Sequence, residues 1–326
     1  GPGGGGGVTT VTINGPLPGN PPQPWPDPPN TKPTYRSDNR GACGPGIYRN
    51  LPAGEYHGWD LPSRSMLTRL SDDRHYTPAD VRHEMLTERP DSEAVALGSA
   101  LHVAMLEPAR YIEAVSLGPV NPKTGSTYGR GTKAWEETAA EQPGRILLTT
   151  DQAARLPLMV AALQGHPRAA AIFERCTERE LSIIIELDLG ELAAELDLPL
   201  ECEEVDAYLS IKARLDMLCP AAGLVADLKT TSASTLWELE QSVTDYGYYS
   251  QAALYPYLAR AAGLGDVQHF ALVVVRSTAP YRVAVLRVDQ WDLGEMVEPR
   301  PGEPDTAIAE AVRVRCARPR VTERRE

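Results

Sequence analysis

The chain has 326 residues, with 32 Lys+Arg against 44 Asp+Glu, a formal net charge of −12 and a pI near 5.1. Hydrophobic residues make up 42% and charged residues 23%, an ordinary globular composition with ample material for a core. The acidic balance excludes a generically basic nucleic-acid coat and a polybasic membrane tether, and no apolar run approaches the ~18–20 residues of a membrane span. The five cysteines are odd in number, scattered and without a C-x-x-C pair. They read as small apolar fillers, and the expected setting is cytoplasmic and reducing.

Taken in order, the chain opens with an arm. Eighteen of the first 33 residues are Gly or Pro, too little apolar surface to offset ordering entropy, so residues 1–46 read as disordered or polyproline-like. Order is expected from Ile47, first as a helical front over 47–175. Ser63 or Ser65 caps a short helix carrying Met66, Leu67 and Leu70. Thr77-Pro78 is an N-cap with proline at the first helical position, opening a helix to Leu86. Ser92 caps the next, where Val95, Ala96, Ser99, Ala100, His102, Val103 and Leu106 fall at helical spacing, and Pro108 starts a fresh turn. Residues 117–133 read as a loop, followed by helices over about 131–142, 150–164 and 167–174. The period then changes. Strands are expected at 181–189, 206–218 and 224–229, helices at 234–243 and 246–262, then a strand at 270–275 with a hairpin partner over 281–288. A last helix is expected at 305–317. Helices, three strands, helices and strands again make an α/β or α+β core behind a helical front.

The chemistry concentrates in Arg214-Leu215-Asp216-Met217-Leu218 and Val225-Ala226-Asp227-Leu228-Lys229. Asp227 and Lys229 are two apart on one strand and project from the same face, and a hairpin brings Asp216 beside them. Two carboxylates and an ammonium in one place call for something that bridges the acids, and a hard divalent cation does so while also engaging phosphate. Asp-x-Lys alone equally marks a surface hairpin whose charges pair. The apolar Leu224-Val225-Ala226 favours burial, where a carboxylate needs a reason.

Asp216…Asp227-Leu228-Lys229 resembles the PD-(D/E)xK nuclease signature. Gly98-x-x-x-His102 with Leu106-Glu107-Pro108 resembles the histidine helix of its RecB-like branch, and Tyr246-Gly247-Tyr248 with Gln251-x-x-x-Tyr255 resembles the Gln/Tyr helix that follows. Tyr56-His57, Ser63-Arg64-Ser65-x-Leu67 and Leu97-Gly98-Ser99-Ala100-Leu101-His102 resemble, more narrowly, the RecE-type exonuclease VIII family. The likeness runs from about residue 47 to 290. It implies a restriction-endonuclease-like α/β fold: a mixed central sheet flanked by helices, as one nuclease domain over 47–326 with its catalytic core at 176–290 and a C-terminal helix in 291–326.

By the same resemblance, His102, Asp216, Asp227 and the main-chain carbonyl of Leu228 hold Mg²⁺, with Mn²⁺ as substitute. Lys229 is the catalytic lysine, and Gln251 and Tyr255 contact phosphate or order the site. Glu180 matches an acidic position on the first strand of some relatives. The implied activity is Mg²⁺-dependent exonucleolytic removal of one strand of linear double-stranded DNA, 5′ to 3′, for recombination. The likeness also implies a homo-oligomeric ring and a RecT-type annealing partner. Rival readings are a RecB-like nuclease of other polarity, an endonuclease, and a non-catalytic nucleic-acid-binding protein. The acidic stretch at 188–206 is longer than the family hairpin. Only Cys316 stands where related iron–sulfur nucleases carry a cysteine cluster, so no Fe–S cluster is expected. Arg64, Arg69, Arg74, Arg82, Arg89, Arg130 and Lys133 are candidates for a local DNA path, or equally for a mixed solvated face, since Asp72, Asp73, Asp80, Glu84 and Glu88 are interleaved.

Overall fold

The computed structural model describes residues 44–70, 75–87, 92–188 and 208–288. The arm before residue 44, the acidic 188–206 stretch past Asp188 and the expected C-terminal helix lie outside these residues, as do Arg74 and Arg89.

The front begins with β1 (Gly46–Tyr48), α1 (Ala53–Gly58), α2 (Arg64–Leu70), α3 (Pro78–Leu86) and α4 (Glu93–Leu106). The caps sit where the sequence puts them. Thr77 accepts from the Asp80 amide and Asp80 reciprocates, and Ser92 accepts from the Val95 amide at 3.2 Å. Pro108 opens a 3₁₀ turn leading into α5 (Tyr111–Ala114). Two short strands, β2 (Val115–Leu117) and β3 (Ile146–Leu148), pair in parallel around α6 (Lys133–Glu141) and are not among the expected elements. α7 (Thr150–Gly165) and α8 (Pro167–Arg175) follow, and His166 between them caps α8 by accepting the Ala169 amide on Nδ1.

The second half is β4 (Glu178–Asp188), β5 (Tyr208–Cys219), β6 (Leu224–Thr231), α9 (Leu236–Asp245), α10 (Tyr248–Ala261), β7 (His269–Arg276) and β8 (Val283–Val288). One six-stranded sheet runs β1-β4-β5-β6-β7-β8, antiparallel except for the parallel β6–β7 pair. That is the expected mixed sheet flanked by helices. β1, too short to announce itself, adds an edge strand to β4.

Period-two alternation sorts the strands between two cores. Ala226, Leu228, Ala271, Val273 and Val275 face α4, α7 and α8, with Leu101, Met105, Met159 and Phe173. Val225, Phe270, Leu272 and Val274 face α9 and α10, with Leu239, Val243 and Leu258. A third cluster, Tyr48, Leu51, Tyr56 and Trp59, packs the front segment on Ile184 of β4. Among the described residues no helix is long and apolar enough to cross a membrane.

Candidate active site

The sheet forks at its centre. β5 and β6 pair only over Met217–Ala226, Leu218–Val225 and Cys219–Leu224. Beyond that, β5 stays with β4 and β6 stays with β7. Asp216 and Asp227 are the first residues past the last pair, one on each prong. Backbone groups at such a fork lose their ladder partners and must find others. Asp216 Oδ2 accepts the Leu228 amide at 2.8 Å, and the Leu228 carbonyl accepts from His102 Nε2 at 2.7 Å.

His102 reaches this point because α4 lies close against β6. One turn earlier, a Cβ on Gly98 would stand 3.4 Å from Thr230 Oγ1, so the helix has little room to spare. With Nε2 committed to Leu228, His102 Nδ1 faces Glu180 Oε1 at 3.6 Å and Asp216 Oδ2 at 3.7 Å. The ligand atoms of His102, Glu180 and Asp216 all lie within 4.8 Å of one another.

Glu180 is the residue that the sequence reading held least firmly. It lies on β4 across from Asp216, with neighbours Arg179–Met217 and Leu181–Leu215 in continuous register. Its φ is +49°, in the left-handed region that a non-glycine side chain avoids. The facing alternation slips at the same place: Leu215 joins the α9–α10 core while Met217 joins the α4 core. Arg214 holds the Glu180 carboxylate through Nε and anchors its own Nη1 on the Leu51 carbonyl (2.9 Å) and Ser182 Oγ (3.1 Å).

From the opposite face of the sheet, α10 supplies Gln251. Its Nε2 donates to Asp227 Oδ1, while Lys229 Nζ meets Asp227 Oδ2. Oδ2 is buried and touches the ammonium without hydrogen-bond geometry, so it keeps unused acceptor capacity. Tyr255, one turn beyond Gln251, points deeper. Its ring meets Phe270 edge-on at 6.4 Å, and burial pushes its phenol well above the usual range. On the same helix, Tyr257 packs on the α9–α10 cluster and Tyr249 is half-buried.

Burial and the Asp227 charge push the Asp216 carboxyl up to about 7. Burial works against the His102 imidazolium, but Asp216 and Glu180 outweigh it and raise the ring to about 9. Burial likewise opposes the Glu180 carboxylate, which His102 and Arg214 hold down at about 2. Lys229 is held above its ordinary range despite burial, by Asp227 and Asp216. Three carboxylates crowd the fork and are offset in part by the protons that the raised Asp216 and His102 hold, and a divalent cation would take the place of those protons. A nitrogen–oxygen donor set with a spare carboxylate oxygen suits Mg²⁺ or Mn²⁺. Among the described residues, the ligand atoms of His102, Glu180 and Asp216 come together in a way that fits such an ion, while Asp227 stands beside Lys229 and Gln251 on the other prong.

The front cations are mostly engaged within the chain. Arg69 pairs with Glu84 and Arg82 with Asp60, each at 3.0 Å, and Lys133 lies 3.5 Å from Glu137. Arg130 donates to the Leu147 carbonyl and lies on the Trp135 ring, and Arg64 donates to the Tyr246 and Gly247 carbonyls. These contacts favour the solvated-face reading of the front over a ready-made DNA track.

Residues 200–299 match the model of a family described as a PDDEXK-like domain of unknown function (DUF3799). No curated protein matches the chain. Among solved structures, one from Eubacterium rectale described as a "Putative exonuclease" aligns with 74% of this chain and 79% of that one, at 13% identity and a TM-score of 0.46. A second, SSO0001, aligns with 69% and 75% at 13% identity and a TM-score of 0.25. At these scores neither neighbour bears on activity. The family match covers Asp216, Asp227, Lys229, Gln251 and Tyr255 and sets the fork within a PD-(D/E)xK-like domain, a superfamily-level likeness that does not single out the RecE type.

Proposed function

We propose that this protein is a divalent-metal-dependent deoxyribonuclease, an exonuclease that removes one strand of linear duplex DNA from its ends. The observation that carries the reading is the fork itself. His102, Glu180 and Asp216 converge on one prong and Asp227, Lys229 and Gln251 on the other, all buried or half-buried in a sheet whose ladder opens only there. Such a placement costs stability, and phosphodiester hydrolysis gives it a use.

Each residue has a task that the contacts support. His102, Glu180, Asp216, Asp227 and the Leu228 carbonyl would hold Mg²⁺ or Mn²⁺. When bound, the ion supplies Lewis-acid stabilisation of the phosphate charge and eases deprotonation of water. The Leu228 carbonyl fixes His102 through Nε2 and so aims Nδ1 at the carboxylates, a second contact that sets ring orientation. Arg214 keeps Glu180 ionised and in place. Lys229, cationic at neutral pH, stands beside Asp227 where it can steady a phosphate oxygen. Gln251 fixes the rotamer of Asp227 from α10 and leaves Oδ2 for the ion.

End preference, 5′-to-3′ polarity, a ring assembly and hand-over of the exposed strand to a RecT-type annealing protein follow from the RecE-type resemblance and belong to the same proposal. The test compares linear with covalently closed duplex, with and without Mg²⁺. Metal-dependent loss of linear DNA alone supports the exonuclease. Cutting of closed circles moves the assignment to an endonuclease, and binding without cleavage in either metal leaves a nucleic-acid-binding protein on a nuclease fold.

A further inference from the structure

Between α9 and α10 the chain runs Asp245-Tyr246-Gly247-Tyr248, two aromatics around one glycine. Gly247 takes φ +60°, and a Cβ there would stand 3.2 Å from Thr68 Cγ2, so the turn is glycine-dependent and pressed against α2. It brings the two rings together, stacked at 5.8 Å between centroids with 29° between planes. Tyr246 remains 65% exposed. A scattered exposed aromatic needs no explanation, but this one is stacked on a second ring and its backbone is tied to α2.

The fastening comes from α2. Arg64 Nη2 donates to the Tyr246 carbonyl at 2.7 Å and to the Gly247 carbonyl, and its Nε donates to Ser250 Oγ at 3.2 Å. Ser250 Oγ in turn donates to the Gly247 carbonyl at 2.7 Å and lies 3.0 Å from Thr68 Oγ1. Arg64 therefore commits Nε and Nη2 to the turn, while its guanidinium carbon stands 5.9 Å from the Tyr248 ring centre. Tyr248 is also the near neighbour of the reactive lysine, with Lys229 Nζ 5.6 Å from its centroid. A contact chain thus runs from Asp227 through Lys229 and Tyr248 to an exposed, preorganised ring.

We propose that the Tyr246–Tyr248 pair is a stacking platform for an unpaired nucleobase beside the phosphodiester site, so that the protein grips single-stranded or frayed DNA. The proposal rests on the nuclease reading for its substrate class and adds a recognition element to it. A flat, rigid aromatic surface two residues long takes any base by its face, whereas bases inside a duplex have no free face to offer. Its ordering entropy is already met by the Arg64 and Ser250 bonds, which favours affinity. Continuity with Lys229, where a phosphate is expected, selects a nucleotide chain over a protein partner.

The test is equilibrium binding of the full chain in metal-free buffer, where nothing is cut. The probes are a fluorescent oligodeoxythymidylate of about a dozen nucleotides, within the span of common single-strand sites, and an abasic oligonucleotide of equal length and charge. The expected result is about tenfold or more tighter binding of the base-bearing probe, in the range of one stacked base. Tyr246→Ala should erase that ratio and leave the abasic probe unchanged, which also reports an intact fold, while Tyr246→Trp should keep it. Equal affinity for the two probes, no binding of either, or a ratio that survives Tyr246→Ala would overturn the platform. A protein that prefers bases but never cleaves keeps the platform and loses the nuclease assignment; one that cleaves without preferring bases does the reverse.

Discussion

Two stretches of β5 bury charge in opposite ways. Toward its middle, Lys212 is 6% exposed and donates to the Tyr56 carbonyl (2.9 Å) and the Trp59 carbonyl (2.6 Å), with the Tyr56 ring 4.9 Å away. The ammonium adds a charged donor to two carbonyls at the end of α1 that also accept from the Trp59 and Leu61 amides, and the front segment is pinned to the sheet. Toward its C-terminal end, Asp216 is 8% exposed, faces Glu180 across the ladder and Asp227 across the fork, and has been driven up to about 7. The first burial is matched and reads as structure. The second is balanced only with protons held on Asp216 and His102 and reads as function, because a metal ion would take the place of those protons.

Substitutions should separate the two ends. The largest effect belongs to Asp216→Asn and Asp227→Asn, which should reduce metal-dependent cleavage to background. Metal-free Asp216→Asn should be as stable as the parent or more so above neutral pH, since it removes a disfavoured charge but retains an acceptor for the Leu228 amide. Cleavage assays beside denaturant unfolding check both halves, and a clear loss of stability would mean that Asp216 is matched after all. Next, Lys229→Ala should lower turnover by ~10²-fold or more, the scale of one preorganised electrostatic group, with metal binding retained in calorimetry. Near-normal cleavage by that variant would remove the mechanism.

A third effect is the pH dependence of metal-free stability. Asp216 is raised to about 7 and His102 to about 9, so the native state binds more protons than the unfolded chain from about pH 4 to 9. Stability should fall as pH rises through that window, first through Asp216 and then through His102. Glu180, held at about 2, contributes in the opposite sense and only under strong acid. Saturating Mg²⁺ or Mn²⁺ should flatten or reverse the fall, read as Tm against pH with and without the ion; a metal-independent slope would contradict the site. The smallest effect is expected at the matched end. Lys212→Met removes the two ammonium bonds but leaves each carbonyl its backbone donor, for a loss of about 2 kcal/mol in urea unfolding, while the metal-dependent Tm shift persists.

The sequence made some of this plain and hid the rest for physical reasons. Thr77-Pro78 and Ser92 signal their helices because a cap is a local bargain between residues three apart. Asp216, Asp227 and Lys229 were legible because the turn joining their strands is short. Glu180 was reached through the resemblance alone, since Thr177-Glu178-Arg179-Glu180 carries two acids with nothing local to choose between them. The register that sets Glu180 opposite Asp216 does so, and it joins residues 36 apart in the chain. Lys212 and Arg214 alternate with Ile211, Ala213 and Leu215, the pattern of a strand with one solvated face. That face is in fact covered by residues 51–63, an arrangement that depends on distant chain. β1, β2 and β3 have three residues each, below the length at which alternation can be read.

The fork also fixes when the protein becomes competent. The β5–β6 hairpin closes with three pairs, and its two acids then diverge. Beyond those pairs β6 finds its strand partner in β7, a parallel neighbour that arrives after residues 232–268 have crossed over the sheet as α9 and α10. Parallel pairing across such a connection is slow compared with hairpin closure. During synthesis both carboxylates and Lys229 therefore leave the ribosome well before Gln251 and β7 can hold them in place. A nascent or truncated chain ending before His269 would carry every reactive side chain in a disarmed state, and the ability to cut DNA would arise late, in step with the closing of the sheet.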